Sequence, residues 1–210
     1  MITDHQYLKK YPIDPRATRL ILGTIHPHDH SKFLLQFFYG NELSIWKILQ
    51  QAFPQELTKP ADLDAVIKFL KTRKITISDT IIRCQRIHPT ALDQDLVVLE
   101  DNGKDLLHAL GNSDIQEVIC TSGFGKNNAF KLFYERILGQ KITSEIRRKR
   151  AAEVTLPGGT KTITVKVLYS PARTANRGIA NSQGYKIVKN QMTVDQYRIS
   201  LYAQAFKAIY

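Results

Sequence analysis

The chain has two cysteines in 210 residues, Cys84 and Cys120, far apart and in no Cys-x-x-Cys pair. That spacing argues against a disulfide framework and against a cysteine-rich zinc site, so both read as reduced core thiols. No apolar run approaches the roughly 18 residues of a membrane span. The polar opening MITDHQYLKKYP also lacks the apolar core of a secretory signal. A cytoplasmic protein with no membrane partner is the expectation. Acidic residues are scarce as well, nineteen against thirty Lys and Arg, which leaves a formal net charge of +11. Such a balance calls for a polyanionic partner, nucleic acid first. The shortage is local, because residues 141–190 hold eleven Lys and Arg and only two acids, Glu145 and Glu153.

What remains is an ordinary globular composition, 43% hydrophobic and 23% charged, long enough for one sizeable domain. Residues 1–210 are read as that single domain, with 1–18 as an N-terminal extension. The apolar run Arg19–Leu22 stops at Gly23 and reads as a buried strand feeding a polar loop. Leu43, Trp46, Leu49 and Phe53 recur at helical spacing, with Asn41 or Ser44 as candidate cap. Leu63, Val66, Ile67 and Leu70 repeat that pattern behind Asp62 and Asp64, which favour the positive end of the helix dipole. Lys74–Ile82 is rich in β-branched residues. Lys104–Leu110, Glu117–Thr121 and Asn127–Leu138 follow as helix, strand and helix. Ala152–Leu156 and Thr160–Tyr169 form a hairpin around Pro157, Gly158 and Gly159, and Thr193–Ile209 closes as an amphipathic helix. Alternating strands and helices predict an α/β fold, a three-layer α/β/α sandwich with a mainly parallel central sheet. Ligands of such sheets bind outside the carboxyl ends of the strands, so the loops after Leu22 and Tyr169 are the candidate site.

The first loop carries His26, His28 and His30, half of the six histidines, with Asp29 among them. Alternation along an extended backbone puts the three imidazoles on one side, a pattern open to Zn²⁺ binding or to a solvated surface loop. Pro27 bends the path and no second ligand cluster accompanies it, so no metal is expected. Phe37, Phe38 and Tyr39 are either core aromatics or, at a pocket mouth, a stacking platform for a base. Arg147, Arg148, Lys149 and Arg150 make a basic run, and Ser170–Gly178 (SPARTANRG) places Arg173 and Arg177 among small residues that permit close approach of a phosphate backbone. Ser122–Lys126 matches no nucleotide-binding spacing.

Together these segments resemble the uracil-DNA glycosylase superfamily over roughly residues 19–206, closest to its mismatch-specific uracil/thymine and hypoxanthine-releasing branches. Thr24–His28 occupy the place of its G-I-N-P-G motif, with Ile25 and Pro27 matching and His26 standing for the asparagine. Phe38 lies twelve residues beyond His26, where the mismatch branch has its stacking aromatic. Trp46 and Lys47 match an N-R-F-W-K segment. Ile77–Arg86 and Glu117–Phe133 resemble later strand and turn segments, and Val167–Ala172 resembles the second active-site motif. The resemblance implies a monofunctional DNA glycosylase that flips a damaged or mispaired base, such as uracil or hypoxanthine, and hydrolyses its N-glycosidic bond without a cofactor. It implies His26 or Asp29 as the group handling water, with Asn102 and Asp105 as further polar candidates. Ile25, Phe38 and Ser170 would contact the base, Arg173 and Thr174 would lie in the wedge loop, and Arg177, Arg147 and Arg148 would bind DNA. The expected partner is double-stranded DNA, taken by a monomer. The alternative is a catalytically silent member that only binds nucleic acid, and a metal-dependent hydrolase built on the histidine loop is a third reading.

Overall fold

The structure, a computed structural model, describes residues 1–88, 90–159 and 161–207. Thr160 of the expected hairpin and the last residues of the expected Thr193–Ile209 helix lie outside that range. The elements in chain order are β1 (Ile2–Asp4), β2 (Arg19–Gly23), α1 (Ser44–Ala52), α2 (Leu63–Thr72), β3 (Ile75–Asp79), β4 (Ile81–Arg86) and β5 (Leu96–Asp101). Then come α3 (Gly103–Gly111), β6 (Glu117–Cys120), α4 (Ala129–Lys131, continued by a π-helical turn Leu132–Ile137), α5 (Ser144–Lys149), β7 (Ala151–Thr155), β8 (Thr162–Val167), α6 (Asn176–Ala180), α7 (Gln183–Val188) and α8 (Val194–Ala205).

The central sheet runs β3-β2-β6-β8-β7. β2 pairs parallel with β3 and with β6, and β6 pairs parallel with β8, while β7 returns antiparallel along β8. The sheet is therefore mixed, because a short hairpin joins neighbours only in antiparallel sense. Every residue of β2 is buried, as befits a strand with a partner on both edges and helices on both faces. Its alternate side chains serve the two faces. Ile21 joins Trp46 and Leu49 of α1, Val66 and Phe69 of α2, and Tyr202 of α8. Leu20 and Leu22 join Leu106 of α3 with Phe130 and Phe133.

A second sheet, β1-β4-β5, is antiparallel throughout and was not expected from the sequence. The β-branched run after Lys74 reads as one strand, but it divides at Thr80. There the backbone N–H and the hydroxyl both donate to the Gly23 carbonyl, at 3.0 and 3.1 Å. That pair of bonds ends β3 beside the end of β2 and sends β4 into the other sheet. Residues 1–18 are woven into the fold, since β1 supplies an edge strand and Tyr7 is buried in the core.

Two helix expectations change. α1 has neither expected cap, because Leu43 holds the N-cap position in left-handed backbone (φ 56°) with no side-chain bond. Asp62 caps α2 as its type favours, accepting from the backbone N–H groups of Asp64 and Ala65. α8 opens with a capping box, Thr193 with Gln196, but its buried residues are Arg198 and Tyr202 in place of an apolar stripe. Arg198 donates to the Pro171 carbonyl at 3.2 Å and the Tyr202 hydroxyl to that of Tyr169 at 2.8 Å. The helix thus anchors the loop after β8.

Candidate active site

A cavity of about 70 Å³ opens at the carboxyl ends of β2 and β3. Its walls are Asp79 at the end of β3, the turn Thr24–Pro27 after β2, and Phe33, Tyr39 and Asn41 from the loop that follows. At roughly 10–15 Å³ per enclosed water, that is room for about one six-membered ring and not for a nucleotide. Gly23 makes the arrangement possible. A methyl group there would overlap both the Asp79 carboxylate and the Tyr39 phenol, so only glycine lets these two groups close over the strand end.

Asp79 is held by a residue from the N-terminal segment. The His5 side chain is fully buried, and its Nδ1 accepts the backbone N–H groups of Tyr7 and Leu8 at 3.1 and 3.3 Å. Its proton is therefore on Nε2, which donates to Asp79 Oδ2 at 2.7 Å. Asn102 completes the support, donating to the Asp79 carbonyl at 2.9 Å and the Ser78 hydroxyl at 3.3 Å. A buried carboxylate fixed by a neutral imidazole and facing a small cavity is suited to accept a proton or to stabilise a nearby cation.

His26 lines the same cavity but has neither ring nitrogen free. Nε2 accepts the Gln6 backbone N–H at 3.0 Å, which leaves the proton on Nδ1, donated to the Pro27 carbonyl at 2.7 Å. Burial pushes its pKa down to about 4, so the ring is neutral near pH 7. Its geometry is that of a strut between loop and N-terminal segment.

Tyr39 takes left-handed backbone (φ 56°), which is sterically costly for a side chain of its size. Thr121 donates to the Leu22 carbonyl at 3.3 Å, so the Tyr39 hydroxyl donates to Thr121 Oγ1 at 2.5 Å. Burial, and then the Asp79 charge, raise the phenol well above its ordinary pKa. Asp93 sits behind Thr24. Its Oδ1 accepts from the Thr24 hydroxyl at 2.8 Å and its Oδ2 from Ser122 at 3.4 Å. It thereby ties the carboxyl ends of β2 and β6 together, and burial raises its pKa to about 6.

The other expected residues divide between wall, core and surface. Ile25 is in the cavity wall. Phe38 is 1% exposed in the core, where its carbonyl accepts the Trp46 indole N–H at 2.8 Å. A ring sealed there offers no face to a base, and Phe33 and Tyr39 are the aromatics of the cavity. Asp29 is fully exposed outside it, bonded by the Ser31 hydroxyl at 2.7 Å and approached by Lys32 at 3.7 Å. Asp105 is exposed in the first turn of α3. Of the loop histidines, Nδ1 of His28 bonds Thr3 at 3.1 Å and His30 packs on His26 with ring centroids 5.4 Å apart. Among the described residues no three His, Cys, Asp or Glu side chains gather as metal ligands. Ser170 accepts the Ala172 backbone N–H at 3.2 Å in the second loop and is not in the cavity wall. Arg173 and Thr174 are exposed in a turn before α6, Arg177 is exposed on α6, and Arg147 and Arg148 are exposed on α5.

Sequence reasoning passed over Asp79, His5, Phe33, Asn41 and Asp93. For Asp79 a signal was present, since a lone carboxylate closing a buried strand stands at the carboxyl end where such sheets place ligands.

No family model matches the chain, and no curated protein matches it. Among solved structures it is similar to the solution NMR structure of a protein from Methanosarcina acetivorans described as a "putative Uracil DNA glycosylase". The two share 18% sequence identity with a TM-score of 0.52, over 97% of this chain and 98% of that one. At that identity the shared feature is the fold. Among the described residues no helix is long and apolar enough to cross a membrane.

Proposed function

We propose that the protein hydrolyses the N-glycosidic bond of a base extruded from DNA into the cavity at the ends of β2 and β3. The observation that carries this reading is Asp79, a buried carboxylate fixed by His5 in a cavity of about the size of one ring. Extruding a base from the stack requires such a pocket and a cationic surface for the flanking phosphates. The fold likeness and the +11 charge support both parts.

In the reaction a water oxygen bonds to the sugar C1′ while the C1′–N bond breaks. The water proton passes to Asp79, and the bond's electron pair leaves with the base, which takes up a proton from solvent. The Asp79 charge also stabilises the positive character that develops on the sugar. His5 is a positioning residue that keeps the carboxylate aimed. Asn41 lines the cavity and presents an amide able to pair with the donor and acceptor edge of a base. Phe33 and Ile25 supply apolar walls.

The test is to incubate the protein with oligonucleotides carrying uracil, hypoxanthine, mispaired thymine or 3,N4-ethenocytosine and then heat in alkali, which cleaves at abasic sites. Uracil, a single ring, is expected to be released fastest. No cleavage on any substrate, with binding retained, would leave a protein that only binds nucleic acid.

A further inference from the structure

Away from the cavity, at the β7–β8 side of the central sheet, a strip of aromatic rings is joined by guanidinium groups at one end. Arg150 is central to that end. It ends α5 in left-handed backbone (φ 53°), where glycine is the usual occupant. From there it donates to the Val167 and Leu168 carbonyls at 2.9 and 3.0 Å. Its guanidinium lies 3.9 Å from the centre of the Tyr169 ring and 5.5 Å from that of Phe124. The Arg147 guanidinium lies 5.1 Å from the centre of the same Phe124 ring. Tyr197 is near enough to feel both the Tyr169 phenol and Arg150, and Tyr185 of α7 meets Tyr197 with ring centroids 5.6 Å apart.

Phe124, Tyr169, Tyr185 and Tyr197 are all half-buried. Three glycines border the strip. A methyl at Gly184 would overlap the Tyr197 phenol, one at Gly178 would touch the Tyr169 ring, and one at Gly123 would stand 3.8 Å from the Arg150 guanidinium. No side chain rises over the rings from those positions. Exposed cations stand on the helices at both ends, Arg147 and Arg148 on α5 and Lys186 on α7 with Lys189 just after it.

We propose that this strip is a track for a single polynucleotide strand, its bases stacked on the rings and its phosphates on the flanking cations. The ligand class rests on the functional reading above, whereas the strandedness comes from the strip. A duplex presents phosphates to a surface and keeps its bases stacked inside, so cations alone would serve it. Rings set among cations serve unstacked bases, which have a face to offer. This departs from the double-stranded partner expected from the sequence.

The experiment measures fluorescence anisotropy of the full chain with labelled dT15, U15 and the dT15·dA15 duplex, for wild type, Tyr185→Leu and Tyr185→Leu/Tyr197→Leu. The single strands are expected to bind at least tenfold more tightly than the duplex, and the double variant to lose that preference while its duplex binding is unchanged. Ultraviolet cross-linking of a 5-iodouracil strand to the wild-type protein reads the same contact without a substitution, with adducts expected on Tyr169, Tyr185 or Tyr197. Duplex binding equal to or tighter than single-strand binding, or cross-links only elsewhere, overturns the track. Base release measured in parallel separates the two claims. Single-strand binding without release keeps the track and removes the hydrolase, and release from duplex with unaltered strip variants does the reverse.

Discussion

The cavity and the aromatic strip lie along the same sheet and are built on opposite rules. Around the cavity most polar groups are buried and committed. His5, Asp79, Tyr39 and Asp93 each have a fixed partner, and the carboxylate in the cavity wall is Asp79. In the strip the flanking cations are exposed and the rings and Arg150 half-buried, with only Glu145 and Glu153 as acids between residues 141 and 190. Exposed charge is screened over about 10 Å at 0.1 M salt and gives sequence-independent affinity. A buried, oriented carboxylate acts at full strength on one bond. On the proposed reading the net charge of +11 serves to hold the polyanion, and the chemistry is assigned to Asp79.

The contrast can be sharpened by changes confined to one region. The largest of these effects is expected from Gly23→Ala, whose methyl overlaps Asp79 and Tyr39. A loss of about 1–3 kcal/mol of stability should appear in a melting curve with collapse of base release, and an unchanged melting temperature would show that the strand end has slack. Asn41→Ala removes the free amide of the cavity wall. Roughly tenfold slower release of uracil, with dT15 binding unaffected, is expected, and equal rates would take base reading away from this residue.

Asp93→Asn should act through pH. Folding raises the Asp93 pKa from 3.8 to about 6, so the folded chain binds the proton more tightly than the unfolded one. Its contribution to stability is then greatest below pH 3.8, falls as pH rises to about 6, and stays at its low value above that. The asparagine variant should therefore melt higher than wild type at pH 7.5 and not at pH 4, and the same difference at both values would refute the burial argument. Smallest is Arg177→Ala on the exposed face of α6, expected to lower the salt dependence of binding by about one unit of slope and to leave release at saturation unchanged.

The sheet was legible because β2, β6 and β8 are apolar or β-branched runs with turn signals at their ends, and both faces of β2 show in its unbroken burial. The second sheet was not, because the break at Thr80 depends on its two bonds to Gly23 across the fold, a tertiary contact without local pattern. The site was half legible for a related reason. The loop after Leu22 was located by the rule for strand ends, and His26 and Ile25 do stand in the cavity wall. The histidines drew attention by density, yet both nitrogens of His26 are spent on backbone atoms, one of them the Gln6 N–H that only the fold brings near. Phe38 sits at the spacing of a stacking aromatic, but its partner Trp46 draws it into the core. His5 and Asp79 are 74 positions apart, and no spacing rule joins them.

The central claim, that chemistry rests on Asp79 and not on the histidine loop, is tested most directly by single-turnover release of uracil from a saturating oligonucleotide by Asp79→Asn and His26→Gln side by side. The expected result is a loss of roughly 10²–10⁴-fold for Asp79→Asn with undiminished dT15 binding, and retention within about tenfold for folded His26→Gln. Near wild-type release by Asp79→Asn together with its loss in folded His26→Gln would contradict the assignment.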